Sequence, residues 1–146
     1  MRLYLDNCCF NRPFDDQSQL RIRLETEATL AVQSLIRSHK LDLVWSYMLD
    51  FENSANPVPE RRETISIWRD LAVADIDASP AIVKRAKVFA TLGLRPKDAL
   101  HLACGIEGRC SHFLTTDDLL IRHAARIPDI ITCTPVMFVM ELDIHD

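Results

Sequence analysis

Apolar residues along the chain fall into short continuous runs and longer helical stripes, and the two alternate. Arg2 to Leu5 is a run of strand length that stops at Asp6-Asn7, and Leu41 to Trp45, Val73 to Ile76, His112 to Leu114 and Ile130 to Thr132 repeat the pattern. Runs this short and this apolar suit strands buried on both faces. Leu20, Leu24, Ala28, Ala31, Leu35 and Ile36 recur at helical spacing and predict an amphipathic helix from Leu20 to about Ser38. Ser46 is placed to cap a helix that carries Glu52 and ends before Pro57. Pro59 opens the next helix, with Ile65, Trp68 and Leu71 as its buried stripe. Ser79-Pro80 starts another, supported by Ile82, Val83, Ala86 and Ala90 and stopped by Gly93. Pro96 begins a helix to about Glu107 with Leu100, Ala103 and Cys104 inward. Thr116 can cap a helix running through Ala125, and Thr134-Pro135 opens a terminal one. The polar stretch Asn11 to Gln19, with Pro13 and Asp15-Asp16, reads as a loop or a broken helical turn.

Five short strands separated by helices call for an α/β fold, a parallel sheet covered on both faces. A chain of 146 residues, 48% hydrophobic and 26% charged, fits one domain over 1–146 that buries its own core. Met1-Arg2 leads straight into the first strand without the pattern of a signal peptide. Val136 to Met140 is typical of the longest apolar stretches, far below the roughly 18 to 20 residues of a membrane span. The expectation is a cytoplasmic protein. Cys8, Cys9, Cys104, Cys110 and Cys133 form an odd set without Cys-x-x-Cys spacing, so they read as small buried residues in a reducing compartment.

A formal charge of −4 argues against a generic nucleic-acid binder. That objection falls away if the acids are gathered in one pocket, where a divalent cation neutralises them and attracts phosphate. In open parallel sheets ligands sit beyond the carboxyl ends of the strands. Asp6 ends the first strand and Asp117 follows the fourth; Asp98 lies in the first turn of a helix, and Glu52 about two turns into the helix that leaves the second strand. Each alone is more simply a cap or a partner of a helix dipole. Together they form an oxygen-only donor set that suits Mg²⁺ or Mn²⁺ and not Zn²⁺. Two such ions about 3.5 to 4 Å apart support in-line phosphoryl displacement.

Leu3-Tyr4-Leu5-Asp6-Asn7, Ser46 to Glu52, Pro96-Lys97-Asp98-Ala99-Leu100-His101-Leu102-Ala103 and Phe113-Leu114-Thr115-Thr116-Asp117 together resemble the ordered motif set of PIN domains. The resemblance implies a three-layer α/β/α fold with sheet order 3-2-1-4-5, and a magnesium- or manganese-dependent endoribonuclease acting on single-stranded RNA. Asp6, Glu52, Asp98 and Asp117 would be its catalytic and metal-binding residues. It further implies similarity to the toxins of bacterial toxin-antitoxin pairs, commonly homodimers covered by an antitoxin protein. Cys8 departs from the Ser or Thr that such domains often carry two residues after the first Asp, and Asn11 to Gln19 is longer and more polar than the usual connection.

Asn7, Thr116 and Asp118 are supporting candidates. Asn7 either orients a metal-bound water or caps the helix after the first strand. Asp118 is the alternative fourth ligand, although its place in a first helical turn favours a dipole role. His101, one turn beyond Asp98, reads as a packed, hydrogen-bonded histidine, because no second histidine stands at ligand spacing. The competing function is a non-catalytic PIN-like module that binds RNA or a protein partner. A phosphoacceptor receiver domain is disfavoured, since Asp6 is followed by Asn7 and no Lys occurs after Lys97.

Overall fold

Strands β1 (Arg2–Leu5), β2 (Asp42–Ser46), β3 (Ala74–Ile76), β4 (His112–Leu114) and β5 (Ile131–Cys133) pair in parallel in the order β3-β2-β1-β4-β5. This is the predicted order, with strand bounds shifted by about one residue. The computed structural model describes residues 1–145. Leu3 of β1 aligns with Leu43 on one side and His112 on the other, so the first strand lies mid-sheet. Leu3, Tyr4 and Leu5 are wholly buried, which explains why the run shows no alternation: both faces are covered.

The helices are α1 (Asn7–Asn11), α2 (Leu20–Arg37), α3 (Tyr47–Ser54), α4 (Pro59–Leu71), α5 (Pro80–Ala90), α6 (Pro96–Glu107), α7 (Asp118–Ala124) and α8 (Pro135–His145). A 3₁₀ turn at Arg12–Phe14 fills part of the polar stretch after α1. Ser46 and Ser79 accept hydrogen bonds from Leu49 N and Ile82 N, and so cap α3 and α5 as expected. Gly93 adopts φ +99°, a left-handed conformation suited to glycine, and turns the chain after α5. Tyr4 stacks on Phe113 at 5.1 Å between ring centroids and lies under Gly105 of α6.

Three local expectations need correction. Helix α2 forms where predicted, but its buried face is Glu25, Ala28, Thr29, Val32 and Ile36, while Leu20, Leu24 and Ala31 are exposed. Glu25 tolerates this position because Arg12 (3.1 Å) and Arg21 (3.3 Å) pair with it. In α5 the chain buries Ile82, Ala86 and Phe89, whereas Val83 and Ala90 face outward. Asp117, not Thr116, caps α7, accepting from Leu119 N and Leu120 N. The five cysteines are free thiols; Cys9, Cys104 and Cys110 are buried, and Cys8 and Cys133 are half-buried. No helix among the described residues is long and apolar enough to cross a membrane.

Candidate metal centre

Pairing on both sides fixes the end of β1. Asp6 N donates to Leu114 O (2.9 Å), carrying the β1–β4 ladder one residue past the strand and setting the Asp6 side chain at the carboxyl edge. Its carboxylate is then held at both oxygens. Oδ1 accepts from Asn7 N (2.8 Å), so Asp6 itself caps α1 and Asn7 is the first helical residue, not the cap. Oδ2 accepts from Thr115 Oγ1 (2.8 Å) and more distantly from Cys8 Sγ (3.5 Å). Cys8 thus fills the place expected of a hydroxyl with a weaker, longer contact. Thr115 is part of the motif that carries the resemblance, but nothing in the sequence gave it a role of its own.

Asp6, Glu52 and Asp98 line one cleft of about 730 Å³, together with Asn7, Arg95 and Lys97. Asp6, Glu52 and His101 each offer one ligand-type atom within 4.8 Å of the others. Asn7 Nδ2 donates to Glu52 Oε2 (3.4 Å), which places this candidate between the two acids. Asp117 is not among the residues that line the cleft: one oxygen caps α7 and the other faces the guanidinium of the cleft residue Arg95 at 3.7 Å. Asp118 is drawn away altogether by Arg21, which donates to both its oxygens at 2.8 and 2.9 Å. That pair holds the Asp118 carboxyl below its ordinary range. Thr116 accepts from Arg12 Nη2 (3.1 Å) and is not among the residues that line the cleft.

His101 is the residue whose role sequence spacing left thin. It is buried, its Nδ1 lies 2.6 Å from Tyr4 Oη, and its Nε2 meets Glu52 Oε1. Tyr4 Oη in turn lies 2.7 Å from Ser46 Oγ, which already accepts from Leu49 N. The Glu52 carboxylate can only accept, so Nε2–H donates to it, and the Tyr4 and Ser46 hydroxyls continue the chain from Nδ1. With both ring nitrogens engaged, His101 orients the Glu52 carboxylate. The packed histidine expected from the sequence is what the fold contains, with an unforeseen partner.

The electrostatics separate the acids. The His101 hydrogen bond, opposed by burial, holds the Glu52 carboxyl below its usual range. Burial, then the charges of Asp6 and Asp117, push Asp98 up to about 6. A cleft that raises one carboxyl while fixing two others favours a cation in place of the proton. The cleft donors are mostly carboxylate and amide oxygens, with the Cys8 thiol beside Asp6 and both His101 nitrogens already engaged, and this oxygen-rich set fits Mg²⁺ or Mn²⁺.

No protein family and no curated protein matches the chain. Among solved structures it is similar to the crystal structure of VapBC2 from Rickettsia felis bound to a DNA fragment from their promoter. The TM-score is 0.57 at 14% identity, over 90% of this chain and 97% of that one. Likeness at that identity shows the fold, an α/β PIN-like arrangement with sheet order 3-2-1-4-5.

Proposed function

We propose that the chain is a Mg²⁺- or Mn²⁺-dependent endoribonuclease that cleaves single-stranded RNA. The observation that carries the reading is the meeting of Asp6, Glu52 and Asp98 in one cleft at the carboxyl edge of the sheet. Asp6, Glu52 and Asp98 are the metal ligands, and Asp117 completes the charge of the site from its place beside Arg95. A bound divalent ion supplies an activated water and neutralises charge on the phosphate. Thr115 and Asn7 N keep the Asp6 oxygens aimed, and the Asn7 side chain reaches Glu52. Arg95 and Lys97, at the same cleft, offer cations to the flanking phosphates.

The sequence resemblance supports a further element of the proposal: a toxin role with a protein partner that covers the cleft, and a homodimeric state. The expected outcome with Mn²⁺ is RNA cleavage by wild type, with none by Asp6→Asn although its melting curve is intact. Cleavage at the wild-type rate by Asp6→Asn would falsify the assignment. In that event the non-catalytic binding module would account for the fold.

A further inference from the structure

Two exposed aromatic rings stand next to groups that line the cleft. Phe51 is 58% exposed and Phe14 41%, whereas the other aromatic side chains among the described residues are buried or half-buried. Phe51 immediately precedes the cleft residue Glu52, and Phe14 immediately precedes the cleft residue Asp15. Each ring carries a cation. Lys97 Nζ, from the cleft wall, lies 5.6 Å from the Phe51 centroid. Arg61 Cζ lies 5.3 Å from the Phe14 centroid, with Arg61 Nη1 3.7 Å from Asp15 Oδ1.

A single exposed phenylalanine calls for no explanation. Two at one acidic cleft, each beside a phosphate-binding type of side chain, repeat the two parts of a single-strand binding surface: a flat apolar face for a base and a cation for the backbone. A duplex offers no unstacked base to such a ring. We propose that Phe51 and Phe14 are stacking sites for unpaired nucleobases beside the cleft, with Lys97 and Arg61 turning to the adjacent phosphates. The strand would then be splayed across the acids with the phosphate between the two stacked bases nearest the metal ligands. This inference rests on the nuclease reading for its biological sense, but its physical content is binding and is measurable without cleavage.

The test uses full-length protein in EDTA, titrated into a fluorescently labelled oligouridylate and into an abasic oligomer of equal length and charge. Wild type should bind the oligouridylate at least about 10-fold more tightly. Phe51→Ala and Phe14→Ala should each weaken that binding roughly 5- to 100-fold, the range found for loss of one stacked base, and leave the abasic oligomer unaffected. Both rings are exposed, so melting curves of the variants should overlay wild type. Equal binding of the two oligomers by wild type, or undiminished binding by both alanine variants, overturns the proposal and leaves the rings to a protein partner. Base-dependent binding without any Mn²⁺-supported cleavage would keep the stacking sites and remove the nuclease reading; cleavage without base-dependent binding would do the reverse.

Discussion

At the scale of single residues, the chemistry depends on holding like charges close without losing their aim. Asp98 shows the cost: its carboxyl rises from 3.8 to about 6, so the folded chain keeps a proton that the unfolded chain has lost between those values. Metal-free protein should therefore lose stability as pH rises from about 4 through about 6, on the order of 1 kcal/mol once its partial exposure is discounted. Asp98→Asn should remove that slope in urea unfolding. With Mn²⁺ present the sign reverses for binding. The ion must displace the proton, so affinity measured by calorimetry should fall as pH drops below about 6 in wild type. Tyr4 is the second test at this scale. Tyr4→Phe deletes the hydroxyl partner of His101 Nδ1 while keeping the ring, and should weaken Mn²⁺ binding about 10- to 100-fold through loss of Glu52 orientation. An unchanged Mn²⁺ affinity in a folded Tyr4→Phe chain would reduce the Ser46-Tyr4-His101 chain to core packing.

At the scale of elements, close packing of α6 on the sheet sets where Asp98 and His101 stand. Gly108 ends that helix against β2, and a Cβ there would meet Val44 Cγ1 at 2.7 Å. Gly108→Ala should cost about 1 to 3 kcal/mol, seen as a fall of roughly 2 to 12 °C in melting temperature, and Val44→Ala in the same chain should recover part of it. The α2–α7 contact works differently. The Arg21–Asp118 pair is solvent-exposed, so Asp118→Asn should leave both melting and Mn²⁺-dependent cleavage close to wild type. Helices and strands were legible because their periods and caps are local: Ser46, Pro59, Ser79 and Pro96 mark starts that the fold uses. The buried face of α2 was not legible. Leu20, Leu24 and Ala31 outscore Glu25 and Thr29 as core residues until Arg12 and Arg21 are seen to satisfy Glu25. Asp6 after its strand, Asp98 in a first helical turn and Glu52 about two turns into its helix were legible as candidates because those places are local. Thr115, the His101–Glu52 contact and the two exposed rings depend on juxtapositions between distant segments, which it does not.

At the scale of the whole molecule, an ion bound only by the folded cleft should raise the melting temperature by mass action. At a concentration 100 times its dissociation constant the gain is about 2.7 kcal/mol. A scan with and without Mn²⁺ measures it, and Asp6→Asn should abolish the difference. The order of strands has another result. β1 is made first yet sits mid-sheet, and the residues that hold and complete its acid edge lie near the end of the chain: Asp98, His101, Leu114 and Thr115. During synthesis Asp6 therefore waits, without its ladder partner or its Thr115 donor, until β4 has been made. At about 5 to 20 residues per second that delay is roughly 5 to 20 seconds. On the proposed reading the chain is made while tethered beside its own message, and its acid edge stays incomplete until β4, about 110 residues after Asp6, has been added.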